Sequence, residues 1–264
     1  MKVIIFSDPH GHLPDIKEQF DLLLLPGDLC PQFNHLRSVQ RDWMMNIFAP
    51  WIKSLPFKTP WAKVVMCAGN HDFVFESASK KFIKELISAT DDRLVYLENS
   101  EYDFVYHNDE IYRIYGTPIC KKFGNWAFMR ENLDKYYENI PEGLDILLTH
   151  DAPDINELGL IKNGKYAGTN AGNVNLASHV QRTKPTYVFC GHIHSGNHKL
   201  TEVDGTYLAN VSLVNEDDKV AYEPLVMTID KYDRANMEGG IDIVTVHQVG
   251  DGKFELARVK KASE

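Results

Sequence analysis

Five short apolar runs punctuate the chain: Val3 to Phe6, Leu22 to Leu25, Val64 to Cys67, Ile146 to Leu148 and Tyr187 to Cys190. Each is bounded by polar or turn residues. Each is too short for a helix and suits a strand buried on both faces. Between the runs the apolar spacing changes to three or four residues. Leu36, Val39, Trp43, Ile47 and Trp51 make one apolar stripe, and Phe82, Ile83, Leu86 and Ile87 make a shorter one. Val174 to Arg182 reads as another helix, stopped before Pro185. Strands that alternate with helices imply parallel pairing through crossover helices.

A second group of segments reads as antiparallel. Leu94 to Leu97, Asp103 to His107 and Ile111 to Tyr115 are separated by short polar turns. Thr201 to Val203 and Thr206 to Ala209 flank Asp204-Gly205, a strong hairpin signal. Leu225 to Ile229, Ile241 to His247 and Phe254 to Val259 are further expected strands. The pattern predicts an α/β protein of two packed mixed sheets with helices outside. At 264 residues, one domain over 1–264 is expected. Its motif-bearing core is 1–230, and 231–264 reads as a peripheral hairpin with a polar tail.

Charge narrows the partners. Lys and Arg number 28 against 37 Asp and Glu, a net of −9. Such a chain is a poor coat for a large nucleic acid, because phosphate neutralisation needs clustered Lys and Arg. It is equally ill-suited to an anionic membrane surface. A small phosphorylated substrate remains compatible if a metal supplies local positive charge. No apolar stretch approaches the ~18 residues of a membrane span. The N-terminal apolar run is too short for a secretory signal. Cys30, Cys67, Cys120 and Cys190 form no CxxC pair. The expectation is a reduced, cytoplasmic protein without disulfides. The sequence sets no oligomeric state.

The candidate chemistry lies at the carboxyl end of each buried run. The first ends at Asp8-Pro9-His10, the second at Pro26-Gly27-Asp28, and the third at Gly69-Asn70-His71-Asp72. The fourth enters Thr149-His150-Asp151, and the fifth Gly191-His192-Ile193-His194. Taken singly, these segments have ordinary readings: a solvated turn, a helix N-cap, a hydrogen-bonded histidine. Taken together, five strands deliver carboxylate, imidazole or carboxamide at their carboxyl ends, where α/β sheets form ligand crevices. Oxygen and imidazole donors with no thiolate among them suit Mn, Fe or Zn. Seven ligands exceed one tetrahedral ion and fit two ions about 3.5–4 Å apart that share a carboxylate. One histidine would remain to protonate a leaving alkoxide. His35, His107, His179 and His247 read as structural or solvated; His12 reads as a surface turn or a residue facing the site, and His198 as solvated or, as the alternative, touching substrate. Cys30 and Trp126 read as core or rim residues.

These motifs, in this order, resemble the calcineurin-like metallophosphoesterase family: D-x-H, G-D, G-N-H-[DE], a later H, and G-H-x-H. The resemblance implies a four-layer α/β/β/α sandwich of two mixed sheets flanked by helices. It also implies roles. Asp8, His10 and His194 would bind one metal; Asn70, His150 and His192 would bind the other; Asp28 would bridge them. His71 would be the catalytic histidine, and Asp72 would hold His71 or a ligand by a hydrogen bond. The implied cofactors are two divalent ions, with Mn first and Fe, Zn, Ni or Co as alternatives. The implied reaction is attack of a metal-bridging hydroxide on phosphorus.

Ile114-Tyr115-Gly116-Thr117-Pro118, Asn125-Trp126-Ala127-Phe128 and Asp145 to His150 are similar to the metallophosphoesterase-domain-containing branch first known from brain proteins. That likeness implies a phosphodiester substrate, with a cyclic nucleotide as one form. Some members of the branch lack the first histidine of G-H-x-H and are feeble catalysts, whereas this chain keeps His192. Where the branch carries Pro-Pro after the fourth motif, this chain has Asp151-Ala152-Pro153. A phosphomonoesterase, a protein phosphatase and a non-catalytic interaction scaffold on the same fold are the alternatives, and the complete ligand set separates an enzyme from the scaffold.

Overall fold

All five apolar runs form strands. In the computed structural model, which describes residues 1–230, 244–249 and 253–258, the chain first lays down β1 (Lys2–Ile5), β2 (Leu22–Pro26), β3 (Lys63–Cys67) and β4 (Leu94–Tyr96). It then makes β5 (Ser100–Val105), β6 (Ile111–Thr117) and the short pair β7 (Cys120–Lys121) and β8 (Met129–Arg130). It continues through β9 (Ile146–Thr149), β10 (Tyr187–Cys190), β11 (Thr201–Val203) and β12 (Thr206–Asn210), and returns with β13 (Leu225–Thr228). One sheet has the order β13-β1-β2-β3-β4, the other β11-β12-β10-β9-β6-β5. β14 (Val244–Val249) and β15 (Lys253–Arg258) pair antiparallel as a separate ribbon. Ile241 to Ile243, Val259 and the polar tail of the expected C-terminal strands lie outside the described residues.

The two sheets pack on each other because successive residues face opposite ways. Val3, Ile5, Leu22, Leu24 and Val65 from the first sheet meet Ile114, Ile146, Leu148 and Phe189 from the second. Ile4, Leu23, Leu25 and Met66 face outward instead, into a core shared with helix residues such as Met44, Phe48 and Phe82. Leu22 to Leu25 are all 0% exposed, so each contributes about 1.5–3 kcal/mol of burial. The expected arrangement of two mixed sheets flanked by helices is thus present.

Two expectations need correction. Leu94 to Leu97 was expected to join the antiparallel group. β4 instead pairs parallel with β3, and the chain crosses to the other sheet at the turn before β5. The stripe from Leu36 to Trp51 was expected to be the buried face of a helix. The chain there forms α1 (Arg37–Trp43), a π turn (Met44–Phe48) and α2 (Ala49–Ser54). Leu36 and Ile47 are exposed, while Gln40, Met44, Phe48, Ala49 and Ile52 are buried. Pro50 lacks an N–H and its ring crowds the carbonyl four residues back. The Ala49 N–H bonds to the Met44 carbonyl instead, and that extra residue in the turn rotates the register.

α3 (Phe73–Glu76), α4 (Lys80–Ala89), α5 (Asp134–Tyr137) and α6 (Val174–Thr183) complete the helices. The Ser79 and Asn173 side chains cap α4 and α6 by accepting from Phe82 and Leu176 N–H. Asp204 and Gly205 both take positive φ, as a tight hairpin turn requires. β1, β2 and β3 run parallel, as do β6, β9, β10 and β12. The loops after these strands therefore gather at one edge of the sandwich.

Candidate metal centre

Backbone pairing aligns the first two motifs. Asp8 N–H donates to the Gly27 carbonyl at 3.0 Å, His10 N–H to Asp28 at 3.1 Å and Gly11 N–H to Leu29 at 3.0 Å. The loop after β1 is thereby fastened alongside the loop after β2. Asp8, His10, Asp28 and His192 have φ of 51°, 44°, 53° and 68°. Asp and His tolerate this left-handed region better than most residues, at a cost of order 1–3 kcal/mol each. Two glycines are required by close approach. A Cβ on Gly191 would overlap the Asp8 carboxylate, and one on Gly69 would overlap Asp28 Oδ1.

The side chains converge in two clusters. In the first, His10 Nε2 lies 3.3 Å from His194 Nε2, which lies 3.7 Å from Asp8 Oδ1. Asp8 is further held by Ser212 Oγ at 2.6 Å and by His192 N–H at 3.1 Å. In the second, His150 Nε2 lies 3.0 Å from Asn70 Oδ1 and 3.3 Å from Asp28 Oδ2. Asp28 Oδ2 also lies 3.9 Å from His10 Nε2, so one oxygen faces both clusters. Asp28 Oδ1 is occupied by His71 N–H at 2.7 Å. The His192 ring meets the His150 ring edge to face, with ring centres 5.1 Å apart.

These residues fit divalent cations. His150 Nδ1 is 3.0 Å from the Pro26 carbonyl, and His194 Nδ1 is 3.0 Å from the Asn215 carbonyl. A carbonyl only accepts, so each Nδ1 carries its proton and each Nε2 is the atom turned toward the cluster. There they face oxygens of Asp8, Asp28 and Asn70, positions that call for a proton or a metal cation between nitrogen and oxygen. Electrostatics agree. Burial opposes charge on His150, yet the Asp28 carboxylate lifts its pKa to about 10. Burial likewise pushes Asp28 up, but His150 and His71 outweigh it and hold Asp28 well below the usual carboxylate range. His10 behaves oppositely: burial pushes it down to about 4 against the pull of Asp28 and Asp8.

All nine residues expected at the site converge on it, but Asp72 does a different job from the one expected. Its oxygens accept from Gly69, Leu29 and Cys30 backbone N–H at 2.9, 3.2 and 2.8 Å. It ties the loop after β3 to the loop after β2 and makes no bond to the His71 ring or to a ligand side chain. Three residues were missed. His35 Nε2 lies 3.2 Å from His71 Nδ1, and Trp126 covers both rings at 4.5 and 5.2 Å. The two histidines are 36 residues apart. Trp126 lies in Asn125 to Phe128, a stretch that carries the branch likeness, but read only as a core or rim aromatic; nothing in the sequence signals His35. The third is Cys120, whose sulfur lies within 4.8 Å of ligand nitrogens of His150 and His192. His12 has no contact that ties it to either cluster among the described residues, whereas His198 donates to or accepts from no ligand side chain and bonds the His194 carbonyl at 2.8 Å.

Comparison with known proteins agrees. Residues 1–196 match the family described as calcineurin-like phosphoesterase, and the chain belongs to that family. Membership supports a metal-dependent hydrolase acting on phosphoester bonds. The chain is 29% identical over 238 residues to human metallophosphoesterase domain-containing protein 1, covering 81% of this chain and 67% of the relative. It is also 29% identical over 237 residues to a Caenorhabditis elegans UPF0046 protein, covering 80% of this chain and 57% of that one. Among solved structures, TT1561 of Thermus thermophilus superposes with a TM-score of 0.50 at 13% identity, covering 79% of this chain and 88% of that one. That likeness concerns the fold alone. No helix among the described residues is long and apolar enough to cross a membrane.

Proposed function

We propose that this chain hydrolyses a phosphodiester with two divalent ions. Asp8, His10 and His194 hold one, Asn70, His150 and His192 hold the other, and Asp28 is shared. The observation that carries this reading is the position of Asp28 Oδ2, 3.3 Å from His150 Nε2 and 3.9 Å from His10 Nε2. When bound, such ions supply Lewis acidity toward phosphoryl oxygens and activate water at neutral pH. The oxygen and imidazole donors place Mn first, with Fe, Zn, Ni and Co also accepted.

The chain's own residues supply orientation and a proton. The His150 and His194 rings are held by the Pro26 and Asn215 carbonyls with Nε2 turned into the site, so neither ring needs reorientation. His71 N–H fixes Asp28, while the His71 ring stands against His10 at 5.2 Å. With Nδ1 engaged by His35, the His71 Nε2 is the atom free to protonate a leaving alkoxide. Gln40 accepts from Val74 N–H and donates to the His71 carbonyl at 2.7 Å, which fixes the backbone that carries the ring.

The diester, with a cyclic nucleotide as one form, follows from the likeness to the metallophosphoesterase-domain-containing branch, as does a small phosphorylated substrate rather than a large nucleic acid. The test is side-by-side assay of Mn²⁺-loaded protein on bis-p-nitrophenyl phosphate and p-nitrophenyl phosphate. Faster turnover of the diester supports the reading. Preference for the monoester replaces it with a phosphomonoesterase or protein phosphatase. No turnover of either with Mn, Fe, Zn, Ni or Co leaves a very selective enzyme or an interaction scaffold, which a partner search separates.

A further inference from the structure

The donor set read from the strand ends contains no sulfur, yet the fold brings one in. β6 runs parallel to β9 and ends at the same edge of the sandwich, and Thr117-Pro118-Ile119 then carries the chain into β7. Cys120 opens β7 and is 0% exposed. Its sulfur and one ring nitrogen from each of His150 and His192 all lie within 4.8 Å of one another. An ion with bonds of ~2.0–2.3 Å holds adjacent nitrogen and sulfur ligands roughly 3–4 Å apart, so a contraction closes these three atoms on one ion.

The surroundings favour ligation over simple packing. The backbone of Cys120 is fixed on both sides: its N–H donates to Phe128 at 3.1 Å, and the next N–H donates to Asp151 Oδ2 at 2.8 Å. The thiol itself has only a weak contact, 3.4 Å to the Pro118 carbonyl. Neither ring nitrogen of His192 has a hydrogen-bond partner among the described residues, although its backbone N–H is held by Asp8. His192 thus has both ring nitrogens available to a ligand beside the buried thiol. Asp151 Oδ2 accepts from Lys121 N–H and from Asn173 at 2.7 Å. Phe123 covers the outer face of His192 at 5.5 Å.

We propose that Cys120, as a thiolate, is a ligand to the divalent ion held by His150 and His192, and that it makes this position prefer Zn²⁺, Co²⁺ or Fe²⁺ to Mn²⁺. The proposal rests on the metal-binding reading above and revises its metal order at one of the two positions. On binding, the S–H bond breaks, its proton leaves to solvent, and a sulfur–metal bond forms; no electron is transferred. Thiolate is a softer donor than carboxylate or carboxamide, so the two positions become chemically unequal.

Cobalt reports both parts of the claim without any assay of activity. The full chain, stripped with a chelator and titrated with Co²⁺, shows visible d–d bands when cobalt binds and a near-ultraviolet thiolate-to-cobalt band only when sulfur is a ligand. The near-ultraviolet band is expected in the wild type and in Cys30→Ser, and is expected to vanish in Cys120→Ser while the visible bands persist. Visible bands without a thiolate band in the wild type overturn the proposal and leave the metal centre standing. Absence of bound cobalt by equilibrium dialysis overturns both. Zinc X-ray absorption on the wild type keeps the test independent of the variant's folding. A sulfur shell near ~2.3 Å supports the proposal, and nitrogen and oxygen alone refute it.

Discussion

His10 and His150 are both buried imidazoles on loops at strand ends, and both contribute to the Asp28 environment. They are nevertheless pushed in opposite directions, His10 down to about 4 and His150 up to about 10. Burial lowers both. The difference lies in the neighbours. His150 stands 3.3 Å from Asp28 Oδ2 and its other nitrogen donates to a carbonyl. His10 stands 3.9 Å from the same oxygen, with His194 and His71 crowding it and its Nδ1 buried without a partner. Positive charge therefore collects on the Asp28–His150 side of the pocket. The two halves of one site, built from the same residue types, demand different things of a cation. A divalent ion would compete with a proton at His150 and meet far less competition at His10.

The largest way to break this comparison is to remove the group both halves share. Asp28→Asn is expected to lose metal from both clusters and to bring turnover to background, measured by metal analysis and diester assay on protein with unchanged circular dichroism. Retention of two ions by this variant would contradict the shared carboxylate. His71→Ala comes next. It is expected to keep both ions and to lose about 10²–10⁴-fold in turnover of esters with poor leaving groups, the usual contribution of a proton donor. Loss of metal from it would move His71 into the ligand set.

His35→Ala comes third, with an expected loss of about 10-fold confined to poor leaving groups, as misorientation of a reacting group produces. An equal loss on nitrophenyl and alkyl diesters would make His35 a packing residue only. The smallest effect is on stability. Because the folded-state pKa of His150 is raised, its pairing with Asp28 contributes fully below the ordinary 6.5 and is lost as pH rises through about 10. Metal-free protein should therefore melt at progressively lower temperature across that interval, and metal-loaded protein should not. Identical pH profiles for the two forms would rule out the asymmetry.

Much of the site was legible because its residues sit immediately after apolar runs. Asp8, Asp28, Asn70 and His150 each come within a few residues of a buried strand's end, so local sequence sufficed. The groups that tune them come from far along the chain. Ser212 reaches Asp8 across 204 residues, and His35 reaches His71 across 36. Neither carries a local signal, since a serine at a strand end or a histidine in a loop is ordinary. Cys120 was hidden for the same reason: only the parallel pairing of β6 with β9 brings it beside His150. The fold was legible where periodicity was unbroken, as in α4 and α6. It failed at α1 and α2, where Pro50 forces a π turn and shifts the buried face from Leu36 and Ile47 to Gln40, Met44 and Phe48.

The central claim is that Asp28 stands between two ions. Anomalous diffraction from crystals of the manganese-loaded protein, recorded above and below the manganese edge, tests it most directly. The account expects two peaks about 3.5–4 Å apart, one beside Asp8, His10 and His194, the other beside Asn70, His150 and His192, with Asp28 Oδ2 between them. A single peak, or two peaks that Asp28 does not touch, would contradict it.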